Sequence, residues 1–231
     1  MNRLKKSTLA YYSLADLPIA MSLFPVAVFI PRFWTTDMGV PLITLASIGV
    51  LVRVFDVITD PLMGYVSDHT RSRFGRRKPW IFLATPFMML SVYMLFMPPE
   101  GAGILHYAIY SVGLSIAITM MLIPYYAWGA ELSTDYNERS RITGGRAMAG
   151  IAGSLSAQLV PGAALLFFGI GGSNEVLMMV GTTMLVLMPV CVSLCLWNVP
   201  EPQTYEKSVV PVFKGRTLTW LNRPFTQVVH A

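Results

Sequence analysis

Charged side chains are scarce in this chain. They account for 13% of its 231 residues, whereas soluble proteins carry about 25%. Apolar side chains account for 54%, so the composition excludes a water-soluble enzyme, a disordered tail and a secreted disulfide scaffold. Cysteine is also rare: Cys191 and Cys195 are the only two, and both lie in an apolar run. We therefore expect neither a disulfide bridge nor a cysteine metal site.

Apolar runs long enough to cross a bilayer occur six times in the sequence. A spanning helix needs about 20 apolar residues, and the runs cover roughly residues 8–30, 41–66, 79–98, 102–128, 143–170 and 176–199. The pattern predicts an all-α, polytopic membrane protein in which residues 1–199 form a six-helix bundle. Residues 200–231 contain four prolines, and we interpret them as a cytoplasmic linker truncated before a second bundle.

Basic residues are concentrated in alternate loops. Of the 17 lysines and arginines, 14 lie before the first span, between spans two and three, between spans four and five, or after span six. Because such an excess marks the cytoplasmic side, we expect a multi-pass protein of the cell (inner) membrane with both termini in the cytoplasm. The basic run 71–78 lies between two membrane helices, so nucleic acid is not expected as a partner.

Ionisable residues within the predicted spans are the first candidates for a functional site, because burying a charge in lipid costs at least a few kcal/mol. Spacings of three and four place Arg53, Asp56 and Asp60 on one helical stripe. Two carboxylates one turn apart repel when both are ionised, so they either share a proton or flank a cation. We interpret them as a site for Na⁺ or H⁺, with the hydroxyl of Thr59 beside it. The alternative is that Arg53 simply neutralises Asp56 and the group is structural.

An intramembrane aspartyl hydrolase also needs paired aspartates, but its two carboxyl groups must lie about 3 Å apart. Residues four apart on one helix leave their Cβ atoms roughly 5–6 Å apart, with no opposed second wall. The spacing therefore disfavours this class, and we expect no enzyme.

Other polar and aromatic residues in the spans are candidates for solute contacts. Asp16 and Arg146 are each isolated in their own span, where they can bind solute oxygens or pair within the bundle. Tyr125, Tyr126 and Trp128 end the fourth span, either as interface aromatics or as a platform for sugar rings.

The segment after the second span combines a glycine, an aspartate and several arginines. Gly64 would let a neighbouring helix approach closely, and Asp68 offers a charge partner to arginines at the ends of adjacent helices. Such an ion-pair latch can favour one conformational state, and the alternative is a basic loop that only fixes topology. The predicted latch residues are Gly64, Asp68, Arg71, Gly75, Arg76, Arg77, Glu131 and Arg139.

Two long blocks carry a family resemblance. The first runs from Arg53 to Gly64 and continues through Thr70-Arg71-Ser72-Arg73-Phe74-Gly75-Arg76-Arg77. The second runs from Ile123 to Ser133 and continues from Asp135 to Arg141. Together they resemble the major facilitator superfamily, and within it the glycoside–pentoside–hexuronide:cation symporters. The resemblance covers only the amino-terminal half of such a transporter.

The resemblance implies a role for particular residues. Asp56 and Asp60 fall on the cation-binding aspartates of the family, which would make them Na⁺ ligands, and Thr59 and Thr119 fall on further cation ligands. Leu122 stands where a well-known member has a sugar-binding aspartate, which puts galactoside specificity in doubt. The residues expected to bind solute are Asp16, Tyr126, Trp128 and Arg146.

The expected function is secondary active transport in which entry of Na⁺ or H⁺ drives symport of a sugar-like solute. No cofactor besides the coupling ion is expected. The partners implied are the solute, the lipid bilayer, and a missing carboxy-terminal half or a second copy. Two alternatives remain open: a lipid or amphiphile transporter of the same fold, and a half-transporter that serves as a membrane scaffold without transporting.

Overall fold

The computed structural model describes residues 4–169 and 172–201, and these residues form helices and connecting loops with no β-strand. Six stretches of helix in this part of the chain have the length and apolar composition needed to cross a membrane. The prediction of an all-α bundle with six spanning helices is therefore confirmed. In chain order the helices are α1 (Lys6–Leu14), α2 (Asp16–Thr36), α3 (Leu42–His69), α4 (Lys78–Phe96), α5 (Ile104–Glu131), α6 (Tyr136–Phe168) and α7 (Ser173–Asn198).

The helices overlap the predicted apolar runs and mostly extend beyond them. Helices α1 and α2 together make the first span, which reaches Thr36. Helix α6 begins at Tyr136, well before the apolar run at 143, because the Asp135 carboxylate accepts the backbone N–H of Asn137 at 2.8 Å and of Glu138 at 3.2 Å. This side-chain cap starts the helix in a polar segment that hydrophobicity does not mark. The predicted linker lies outside the described residues beyond Glu201.

Close backbone packing joins α2 to α6. A Cβ atom at Gly153 of α6 would collide with the backbone carbonyl of Leu17 in α2, so glycine is required at this crossing. Small residues let membrane helices approach in this way without a hydrophobic driving force between them. The contact brings the start of α2 beside the middle of α6, where Asp16 and Arg146 lie.

Two tyrosines fix α1 against α5. The Tyr12 hydroxyl donates to the carbonyl oxygen of Tyr125 at 2.8 Å, and the Tyr125 hydroxyl donates to the carbonyl oxygen of Tyr12 at 2.7 Å. Their rings stack with centroids 4.6 Å apart. Both hydroxyls are buried, so the exchanged bonds satisfy groups that would otherwise be costly to remove from water.

Helix α3 is the least covered span of the bundle. Only 6% of its most apolar window is buried, compared with 50% for the first span. Val50, Val57 and Ile58 are all largely exposed along it. Its main neighbour is α5, and two of its carboxylates have hydroxyl partners on that helix.

Candidate cation and solute sites

Two carboxylates of α3 each meet a hydroxyl of α5. The Ser115 hydroxyl donates to Oδ1 of Asp56, and the Thr119 hydroxyl donates to Oδ1 of Asp60 at 2.8 Å. The two aspartates are four residues apart on α3, and the serine and threonine are four residues apart on α5. One turn of α3 therefore lies beside one turn of α5. The seam between the helices therefore presents four side chains with oxygens of the hard type that small cations prefer. We call these four residues the carboxylate–hydroxyl seam.

Ser115 was missed by sequence reasoning. A serine in an apolar helix is common, and nothing in the sequence alone sets the register between α3 and α5. The available signal was its spacing of four from Thr119, which repeats the spacing of Asp56 and Asp60.

Arg53 accounts for only part of the charge on α3. Its Nη1 lies 3.3 Å from Oδ2 of Asp56, but its side chain is 86% exposed while that of Asp56 is 16% exposed. Among the described residues, Asp60 takes part in no ion pair and is held by Thr119 alone. Neutralisation by Arg53 thus explains one carboxylate and leaves the other without a counter-charge.

The predicted cation ligand Thr59 lies beside the seam but is bonded to its own helix. Its hydroxyl donates to the carbonyl oxygen of Phe55 at 3.3 Å and lies 3.5 Å from that of Asp56. The described residues also contain no group of three or more His, Cys, Asp or Glu side chains that could hold a metal ion. Any cation here would therefore rest on two carboxylates and hydroxyl oxygens.

Three of the predicted solute residues come together from three helices. Nε of Arg146 in α6 lies 3.8 Å from Oδ2 of Asp16 in α2. The guanidinium carbon of Arg146 lies 3.9 Å from the ring centroid of Tyr126 in α5, a cation–π contact. The separation of 3.8 Å is too long for a direct hydrogen bond. The guanidinium of Arg146 and the carboxylate of Asp16 therefore form no hydrogen bond with each other.

Trp128 has a different position from the one expected of a solute residue. Its side chain is fully buried, its indole Nε1 donates to the carbonyl oxygen of Pro200 at 3.2 Å, and its ring meets Tyr12 edge to face. A ring without an exposed face cannot stack on a sugar. We therefore correct the predicted role of Trp128: it packs α5 against the end of α7, and Tyr126, which is 41% exposed, is the available aromatic.

Four of the predicted latch residues form one ion-pair group. Nη2 of Arg77 lies 3.1 Å from Oδ1 of Asp68 and 2.7 Å from Oε1 of Glu131. Nη2 of Arg76 lies 2.5 Å from the same Glu131 oxygen. These bonds tie the start of α4 to the ends of α3 and α5. We call Asp68, Arg76, Arg77 and Glu131 the latch group, and this end of the bundle the basic end.

The other predicted latch residues lie outside that group. Arg71 is exposed, and Nε of Arg139 donates to the carbonyl oxygen of Ser133 at 2.8 Å. A Cβ atom at Gly64 would lie 3.8 Å from Ile123, which is ordinary contact, so the packing at Gly64 does not itself require glycine. Gly75 does have a special role, because its φ of 106° is a conformation that favours glycine.

The described part of the chain is a bundle of membrane-length helices with ionisable groups between them, and comparisons with known proteins place the chain in a family. A family model described as MFS/sugar transport protein matches residues 11–230. The chain therefore belongs to this family, which confirms the resemblance to the cation symporters of the major facilitator superfamily. Because the family consists of transporters, the expectation that the protein is not an enzyme is also confirmed.

Three relatives illustrate the range of the similarity. An uncharacterized symporter of Synechocystis is 31% identical over 140 residues, covering 56% of this chain and 26% of the relative. A putative glycoside/cation symporter of Escherichia coli, YagG, is 26% identical over 205 residues, covering 84% and 43%. A sodium-dependent lysophosphatidylcholine symporter of Gallus gallus is 32% identical over 121 residues, covering 51% and 23%. The chain thus spans less than half the length of these relatives.

Proposed function

We propose that this chain is the amino-terminal half of a symporter that couples Na⁺ or H⁺ entry to uptake of a sugar-like solute. The observation that carries the proposal is the carboxylate–hydroxyl seam, in which two acidic groups and two hydroxyls face each other between adjacent membrane helices. In this proposal the protein lies in the cell membrane with the basic end and both termini in the cytoplasm, as the distribution of lysine and arginine favours.

The seam supplies both kinds of oxygen that a coupling ion requires. A hydroxyl that donates its hydrogen to a carboxylate keeps lone pairs for a cation. Ser115 and Thr119 can therefore hold Asp56 and Asp60 in place while coordinating the same ion. When the ion is absent, two carboxylates one turn apart repel each other, which favours either a proton or Na⁺ in the seam.

The solute would bind where Asp16, Tyr126 and Arg146 converge. Sugar hydroxyls both donate and accept hydrogen bonds, so a carboxylate and a guanidinium that do not saturate each other suit them. The exposed ring of Tyr126 offers an apolar face to the sugar ring. Both sites share α5, which contributes Ser115, Thr119 and Tyr126, so movement of one helix can link ion and solute binding.

Alternating access in transporters of this type requires two bundles that move about a central site. The missing carboxy-terminal half, or a second copy of this chain, would supply the other bundle. In this scheme the latch group holds the cytoplasmic end of the first bundle closed until both sites are filled.

Uptake by the complete transporter in proteoliposomes tests the proposal. An inward Na⁺ or H⁺ gradient should drive accumulation of a labelled glycoside, and Asp60→Asn should abolish the stimulation by the gradient. Asp37→Asn, at the exposed end of α2, is the matched control and should transport normally. Cation stimulation that survives in Asp60→Asn would remove the ion role of the seam. Absence of any solute-dependent cation flux in the complete protein would favour the scaffold alternative.

A second candidate cargo is a lipid-like amphiphile. One relative is named a sodium-dependent lysophosphatidylcholine symporter, and Leu122 offers an apolar group on the helix that carries Tyr126. In the same vesicles, competition by lysophospholipids and no competition by glycosides would favour this cargo. The ion site would be unchanged under either cargo.

A further inference from the structure

The carboxylate of Glu201, which follows the last helix, caps the start of α4. Its Oε1 accepts the backbone N–H of Arg76 at 2.7 Å and of Arg77 at 2.8 Å, and its Oε2 accepts that of Lys78 at 3.4 Å. Arg77, the residue before the first turn, makes no side-chain cap of its own. Glu201 therefore satisfies three donors at the positive end of the helix dipole.

The backbone before this cap is shaped to receive the carboxylate closely. A Cβ atom at Gly75 would collide with the Glu201 carboxylate, and the φ of 106° at Gly75 turns the chain so that the next three N–H groups point to one place. The segment that leads to Glu201 is held by two further contacts. Nζ of Lys78 donates to the carbonyl oxygen of Leu196 at 2.8 Å, and Trp128 donates to that of Pro200.

Two of the three residues capped by Glu201 also belong to the latch group. Arg76 and Arg77 give their N–H groups to Glu201 and their guanidinium groups to Glu131. Arg77 is 4% exposed, and its Nε and Nη1 have no hydrogen-bond partner among the described residues. Because the side chain bonds only through Nη2, its position depends strongly on where the backbone is held.

We propose that Glu201 is a positioning residue for the latch group. It holds the backbone at 76–78 so that both arginine side chains reach Glu131, and it connects the latch to the chain segment that leaves α7. Displacement of that segment would remove the cap and loosen the ion pairs together. The inference rests on the proposed latch for its meaning in transport, but its structural content can be measured without transport.

Hydrogen–deuterium exchange of the whole chain in lipid nanodiscs provides the test. Glu201→Ala should raise the exchange rate of the amides at 76–78 by about tenfold, and Glu201→Gln, which keeps an acceptor without charge, should raise it less. Glu175→Ala is the matched control, because Glu175 accepts the N–H of Gly172 at 3.2 Å at the start of α7. It should leave the three amides unchanged.

A double-mutant cycle with Glu131→Ala distinguishes positioning of the latch from simple helix capping. Each single variant raises the amide exchange rate at 76–78 by some factor. If Glu201 positions the latch, the factor for the double variant should be smaller than the product of the two single factors, because both changes release the same contacts. Factors that multiply, or amides that stay protected in Glu201→Ala, would overturn the proposal. If Glu201→Ala does not fold, Glu201→Gln takes its place in the same cycle. Failure of solute uptake in the complete protein would remove the proposed function and leave this result standing.

Discussion

Removal of the Ser115 hydroxyl is the sharpest perturbation of the proposed ion site. In Ser115→Ala, Asp56 loses its donor from α5 and keeps only Arg53, which is mostly exposed. A hydrogen bond to a charged group contributes about 1.5–3 kcal/mol. The Asp56 side chain is only 16% exposed, so solvent can replace little of this contribution. The Kd for Na⁺ should therefore rise by roughly tenfold or more.

Binding of radioactive ²²Na⁺ to the purified chain in nanodiscs measures this change. Ser156→Ala is the matched control, because its hydroxyl donates at 2.7 Å to the carbonyl oxygen of Gly153 in its own helix and touches no carboxylate. Ser115→Thr keeps the hydroxyl and should bind nearly as well as the unaltered chain. A Kd for Ser115→Ala within twofold of the control would refute the reasoning. Absence of saturable binding in the unaltered chain would exclude Na⁺ as the ion of the seam and leave only H⁺.

Three further changes test other contacts. Gly153→Ala should lower the free energy of unfolding by about 1–3 kcal/mol through overpacking. Gly162→Ala is the control, because Gly162 faces open space and the change should leave stability unaltered. Equal thermal midpoints for the two variants would contradict the close α2–α6 crossing. Arg146→Lys should weaken solute binding about fivefold, because an ammonium lacks the planar guanidinium that stacks on Tyr126 and its several donors. Na⁺ binding should be unchanged, and a parallel loss of Na⁺ binding would argue against separate sites. Glu131→Gln should destabilise the bundle by about 2 kcal/mol, less than the roughly 3–5 kcal/mol for a fully buried ion pair, because Glu131 is one-third exposed. A denaturation midpoint equal to that of Glu175→Gln would count against the latch.

The fold was predictable because the bilayer requires long apolar helices, and such runs are visible in a chain with few charges. The helix ends were less predictable. The start of α6 depends on the Asp135 cap, and the apolar pattern cannot detect a polar first turn. The break between α1 and α2 at Ala15 likewise leaves no mark in the composition.

The candidate site was predictable where one helix determines it and not where two helices must meet. Asp56 and Asp60 stand out because their spacing places both charges on one face of an apolar helix. Ser115 and Glu201 depend on the register between distant segments, which spacing within one segment does not contain. Trp128 was misjudged for the same reason, since its burial results from the end of α7 packing over it.

The exposure of α3 has a thermodynamic consequence for coupling. Asp56 and Asp60 belong to α3, the span with the least cover. A bound cation would change the net charge that these carboxylates present to any surface that packs over α3. Linkage is reciprocal: if the covering surface strengthens the hold on the ion, the ion strengthens the hold on that surface by the same factor. In the proposed transporter, loading of the ion and closure over α3 would therefore be a single equilibrium.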